Sequence, residues 1–60
     1  MDSNMLDIKQ TAQYLNISVS LLRKLVRNKE IPHNRLGVKL LFSKDEIDIW
    51  LKDHQINSDY

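Results

Sequence analysis

Five cations stand where this chain could grip a polyanion. Arg23, Lys24 and Arg27 crowd one short span, and Arg35 and Lys39 flank Gly37 a little further on. A guanidinium can pair in bidentate fashion with a guanine edge, and any of these cations can neutralise phosphate. Ser20, three residues before Arg23, adds a hydroxyl that donates or accepts, and Val19 offers an apolar surface suited to a thymine methyl. The candidate base contacts are therefore Val19, Ser20 and Arg23. Lys24 and Arg27 are candidates for the DNA backbone, and Arg35 and Lys39 for the backbone or an adjacent minor groove. The ordinary alternatives are a solvated helix face, pairing with nearby carboxylates, and charges that blunt an edge strand.

Other chemistries find little support. There is no cysteine, which excludes disulfides, thiol nucleophiles and Cys-based zinc sites. His33 and His54 are the only imidazoles and are far apart in the chain. No Gly-rich phosphate loop is possible with one glycine. Asp45, Glu46 and Asp48 resemble a carboxylate cluster, yet their place suits the start of a helix. No catalytic residue, metal or cofactor is expected, and 60 residues leave little room for a substrate pocket. The expectation is a protein that is not an enzyme.

Charge is segregated. Residues 1–8 carry −2, from Asp2 and Asp7. Residues 9–44 carry +7, with Glu30 the only acid, and residues 45–60 carry −4. The net +1 hides a basic middle between acidic ends, the asymmetry of a polyanion-binding surface. No apolar run is long enough to span a membrane and no secretory signal is visible, so a cytoplasmic, nucleoid-associated protein is expected.

The elements that must hold these cations follow from spacing. Residues 1–5 read as a frayed N-terminus. Asp7 and Gln10 have capping-box spacing, and Ile8, Ala12 and Leu15 form one apolar stripe of a short helix. Asn16 suits a left-handed helix end, and Ile17 can plug between two helices. Ser18 is the next N-cap, with Leu22, Leu25 and Val26 on the buried face of a second helix ending near Asn28. Pro32 then imposes extended chain. Gly37-Val38 predicts a hairpin turn, with Leu36, Leu40 and Phe42 inward and Arg35, Lys39 and Leu41 outward. Ser43 and Glu46 have the spacing of a second capping box, and Ile47, Trp50 and Leu51 mark the core face of a third helix. Trp50 and Phe42 are expected in the core. Tyr14 lies off its helix's main stripe, where its hydroxyl could reach a phosphate. His33 reads as an ordinary exposed strand residue, and Leu21 and Leu41 as outward apolar residues. The fold class is mainly α with a small β-hairpin, in the order α-α-β-β-α. The domain spans 6–53, with a flexible tail over 54–60.

In that order the segments Ile8-Lys9-Gln10-Thr11-Ala12-Gln13-Tyr14-Leu15, Ile17-Ser18 and Leu22-Arg23-Lys24-Leu25-Val26-Arg27 resemble a helix-turn-helix. Ile31-Pro32-His33-Asn34-Arg35-Leu36-Gly37 and Lys39-Leu40-Leu41-Phe42-Ser43 look like a wing, and Asp45-Glu46-Ile47-Asp48-Ile49-Trp50-Leu51 like a closing helix. The whole is similar to the small winged helix-turn-helix proteins of the excisionase type, which are related to the DNA-binding half of MerR-like regulators. The family often has Gly where Asn16 and Lys29 stand, and a base where Val19 stands. Lys29 implies a shift of about a residue in the end of the second helix. The resemblance implies a recognition helix in the major groove of double-stranded DNA and a wing on the minor groove or backbone. It further implies side-by-side copies on repeated sites, DNA bending, and help to an integrase or recombinase excising a mobile element. Other readings are a minimal MerR-like transcription regulator and, from another class, a protein-binding adaptor using Leu21 and Leu41.

Overall fold

The computed structural model describes residues 4–54. Its elements are β1 (Met5–Leu6), α1 (Ile8–Leu15), α2 (Val19–Arg27), β2 (Asn34–Leu36), β3 (Lys39–Ser43) and α3 (Lys44–Asp53). The strands form one antiparallel sheet in the order β1-β3-β2. Three helices on a small sheet with a protruding β2–β3 hairpin make a winged helix-turn-helix.

Local chemistry starts each helix. The Asp7 carboxylate accepts from the Gln10 N–H at 2.7 Å, and the Gln10 side-chain oxygen accepts from the Asp7 N–H at 3.0 Å. That reciprocal box ties down two donors that would otherwise face water unpaired. Ser18 caps α2 through the Leu21 N–H at 3.1 Å. Ser43 caps α3 through the Glu46 N–H at 3.4 Å, but the return contact of the expected second capping box is not formed.

The helix ends explain the tight connections. After α1, Asn16 sits at φ 61°, and the Ile17 N–H donates back to the Ala12 carbonyl at 2.9 Å. After α2, Lys29 sits at φ 56°, its N–H donates to Val26 at 3.0 Å, and the Glu30 N–H donates to Leu25 at 2.8 Å. Both are Schellman-type endings, which use a left-handed residue to satisfy the last carbonyls. The expected shift at Lys29 does not occur. Lys29 itself takes the left-handed conformation, and α2 stops at Arg27 with Asn28 as its cap.

The core is Ala12, Leu22, Val26, Ile31, Phe42 and Ile47, with Ile8, Leu15, Ile17, Val19, Leu25, Leu40 and Trp50 packed around it. Buried Thr11 satisfies its hydroxyl by donating to the Asp7 carbonyl at 2.8 Å. Trp50 is half-buried, and its indole N–H donates to the Glu30 carbonyl at 2.7 Å, pinning α3 to the segment after α2. Leu51, expected inward, lies exposed, because Ile47 and Trp50 already fill that contact.

Two differences concern the sheet. Of the N-terminal residues 1–5 expected to fray, Met5 instead belongs to a strand, and residues 1–3 lie outside the described residues. Met5 and Leu6 pair with Ser43 and Phe42, and the Lys44 N–H donates to the Asn4 carbonyl at 2.7 Å. A two-residue strand has no period to read, and its partner is remote in sequence. Of the expected tail, only His54 is described, as the cap of α3; residues 55–60 lie outside the described residues. The second difference is the hairpin's facing. Leu36 pairs with Lys39, Arg35 with Leu40 and Asn34 with Leu41. Directly paired residues share a face, so Arg35 lies on the face of Leu40 and Phe42, and Leu36 with Lys39 and Leu41 on the other. Leu36 is accordingly 66% exposed instead of inward, and Arg35 is not on the outward face. Gly37, at φ +65°, supplies the first central residue of the two-residue turn; nothing stands within 4 Å of where a Cβ would be, so the conformation alone calls for glycine.

Candidate nucleic-acid interface

α2 carries most of the site. Leu22 and Val26 are buried on one side, which turns Ser20, Arg23, Lys24 and Arg27 to the surface. Arg23 and Arg27 are one helical turn apart and share a flank. That flank faces the β2–β3 hairpin across an open cleft of about 350 Å³, lined by Arg23, Val26, Arg27, Arg35, Val38 and Leu40. Three guanidinium side chains thus border one concavity. Its apolar wall comes from Val26 and Leu40, and from Val38 at the fully exposed turn.

Arg35 enters this cleft because of the hairpin register. It shares a face with Leu40, but it stands beyond the core, near the free end of the hairpin, so its charge stays in water. Lys39 sits on the opposite face of the same hairpin, beside Leu36. The two cations flanking Gly37 therefore straddle the wing. Ser20 and Lys24 are exposed on α2 but do not line the cleft.

Val19 is half-buried and packs against the core, so most of its side chain serves α2's seating. Leu21 is instead 43% exposed in the same helical turn. Leu41, expected outward, is half-buried. His33, expected to be an exposed strand residue, instead stands just before β2 and is half-buried, with its Nδ1 at 2.9 Å from the Ile31 carbonyl.

Tyr14 has a different partner from the phosphate considered for it. Its hydroxyl donates to the Asp48 carboxylate of α3, and the Lys44 ammonium lies 5.1 Å from its ring centroid. The bond to Asp48 raises the phenol's pKa above its ordinary value, with desolvation and the carboxylate's charge adding to it and Lys44 opposing. The contact couples α1 to α3.

α3 presents the opposite charge, with Asp45, Glu46, Asp48 and Asp53 all on its surface. Asp45 and Glu46 occupy the first turn, where carboxylates complement the helix dipole. Among the described residues no cluster of His, Cys, Asp or Glu could hold a metal ion. No helix among them is long and apolar enough to cross a membrane. The site therefore offers charge, hydrogen-bond donors and a concave shape.

A family model described as a helix-turn-helix domain matches residues 5–55. No curated protein and no solved structure matches the chain.

Proposed function

This chain belongs to the helix-turn-helix domain family of small excisionase-type DNA-binding proteins, and we propose that it acts as a sequence-specific double-stranded DNA-binding protein that directs recombination of a mobile element. α2 enters the major groove, where Ser20 and Arg23 meet base edges. Lys24 and Arg27 meet the sugar-phosphate backbone beside it. The β2–β3 wing carries Arg35 and Lys39 to the neighbouring minor groove or backbone. Val19 contributes by holding α2 at its entry angle.

The observation that carries this reading is the cleft that Arg23 and Arg27 share with Arg35. Cations from two separate elements converge there, which a merely solvated helix face does not require. The acidic α3 adds direction, since phosphate repulsion keeps that side away from the duplex.

A module of this size buries about 600–1,000 Å² of its own surface on DNA, enough for modest affinity alone. Copies bound side by side on repeated sites, or a DNA-bound integrase, supply the rest. The same geometry serves architecture, because a wing and a helix gripping adjacent grooves favour a bent duplex.

Salt titration of binding to a duplex provides the test. With Arg23, Lys24, Arg27, Arg35 and Lys39 all engaged, log K falls against log salt with a slope of roughly −4 to −5. A protein-binding adaptor would leave duplex DNA unbound even at low salt.

A further inference from the structure

We infer that Leu21 reads the 5-methyl group of a thymine in the major groove. The inference rests on the DNA-binding reading and adds to it one position of base preference. Apolar contact with that methyl is one of the ways the major-groove edge tells thymine from the other bases.

The start of α2 offers Val19, Leu21 and Leu22 as apolar side chains. At about 100° per residue, Val19 lies about 60° to one side of Leu22 and Leu21 about 100° to the other. The packing follows that geometry. Leu22 is fully buried, Val19 is half-buried against the core, and Leu21 is 43% exposed. The surface of α2 is otherwise polar: Ser20, Arg23, Lys24 and Arg27. Leu21 is thus the one exposed apolar side chain of the helix, and it lies one turn before exposed Lys24. Its backbone N–H already donates to the Ser18 hydroxyl at 3.1 Å, so only its side chain is free to meet a ligand. Recognition helices touch bases through their N-terminal residues, and Leu21 is the third residue of α2. A methyl group packed against it takes both apolar surfaces out of water.

The test uses the full chain and a randomised duplex library, from which the preferred sequence is selected. Each thymine of that sequence is then replaced singly by uracil, which removes the methyl and nothing else. Wild type should lose about fourfold in affinity at one thymine, the worth of a buried methyl. Leu21→Ala should bind the thymine duplex more weakly and be indifferent to uracil at that position. Val19→Ala should lower the melting temperature and keep the wild-type response to uracil. Equal uracil penalties in wild type and Leu21→Ala would overturn the assignment, as would a response abolished by Val19→Ala instead. A selected sequence with no methyl-sensitive thymine overturns it while leaving DNA binding intact. Failure to enrich any sequence overturns the parent reading and this one together.

Discussion

α2 and α3 are built alike and face the world with opposite signs. Each follows a serine N-cap, Ser18 or Ser43, and each has one wholly buried aliphatic residue, Leu22 or Ile47. α2 presents Arg23, Lys24 and Arg27 at its surface, whereas α3 presents Asp45, Glu46, Asp48 and Asp53. Part of this contrast is helix stability. Lys24 and Arg27 lie in the last turn of α2, and Asp45 and Glu46 in the first turn of α3, where each sign complements the dipole. Arg23, in the middle of α2, has no such local reason. The comparison therefore singles out Arg23 as the cation whose place the helix's own chemistry does not explain.

The most disruptive changes should ignore the difference in sign. Leu22→Ala and Ile47→Ala each remove a wholly buried side chain. Each should cost about 2–5 kcal/mol in chemical denaturation, since either truncation leaves an apolar cavity in the same core. A large gap between the two would mean that one helix is seated far more loosely than its burial indicates.

Surface changes should separate the helices. Arg23→Ala should cost about 1–3 kcal/mol of binding to the preferred duplex and relax preference at one base pair. Lys39→Ala, on the other face of the wing, should weaken preferred and random duplexes alike and reduce the salt slope by about 1. An equal loss for Arg23→Ala on both duplexes would assign it to phosphate.

The two helix endings near α2 give a smaller effect. Asn16 and Lys29 both stand in the left-handed region, but asparagine tolerates it better than lysine. Lys29→Gly should stabilise the fold by about 0.5–1 kcal/mol, strain relief exceeding the added freedom of the unfolded chain. Thermal melts of the two proteins would measure it.

The subtlest change concerns the bond between α1 and α3. Tyr14's pKa is raised in the fold by its bond to Asp48. Its contribution to stability is therefore complete below the unfolded phenol's value of about 10, and fades as pH rises through the higher folded value. Tyr14→Phe should remove that alkaline component and leave the profile near neutrality parallel to wild type. Melting temperatures from pH 7 to 11 would reveal a persisting slope if another group were responsible.

How far the chain could be read depended on the distance between interacting residues. The caps at Asp7, Ser18 and Ser43, the left-handed Asn16 and the turn at Gly37 all act across a few residues, and the helices and hairpin were legible from them. The hairpin's facing was legible as well, because a two-residue turn at Gly37-Val38 commits Leu36 to Lys39 and Arg35 to Leu40. Placing Leu36 inward conflicts with that pairing. Strand β1 and the Tyr14–Asp48 contact gave no such signal, since each joins segments far apart in sequence.

Residue order alone settled the three helices and the hairpin, and which of them carry cations, because capping, turn chemistry and apolar period act within a single segment. Only the tertiary packing decided that Val19 turns inward while Leu21 stays out, and that the hairpin face carrying Arg35 closes a cleft with Arg23 and Arg27. A side chain's direction is set by whichever remote surface fills its neighbour's place. In a core this small, each such choice leaves one residue for packing and the next for contact.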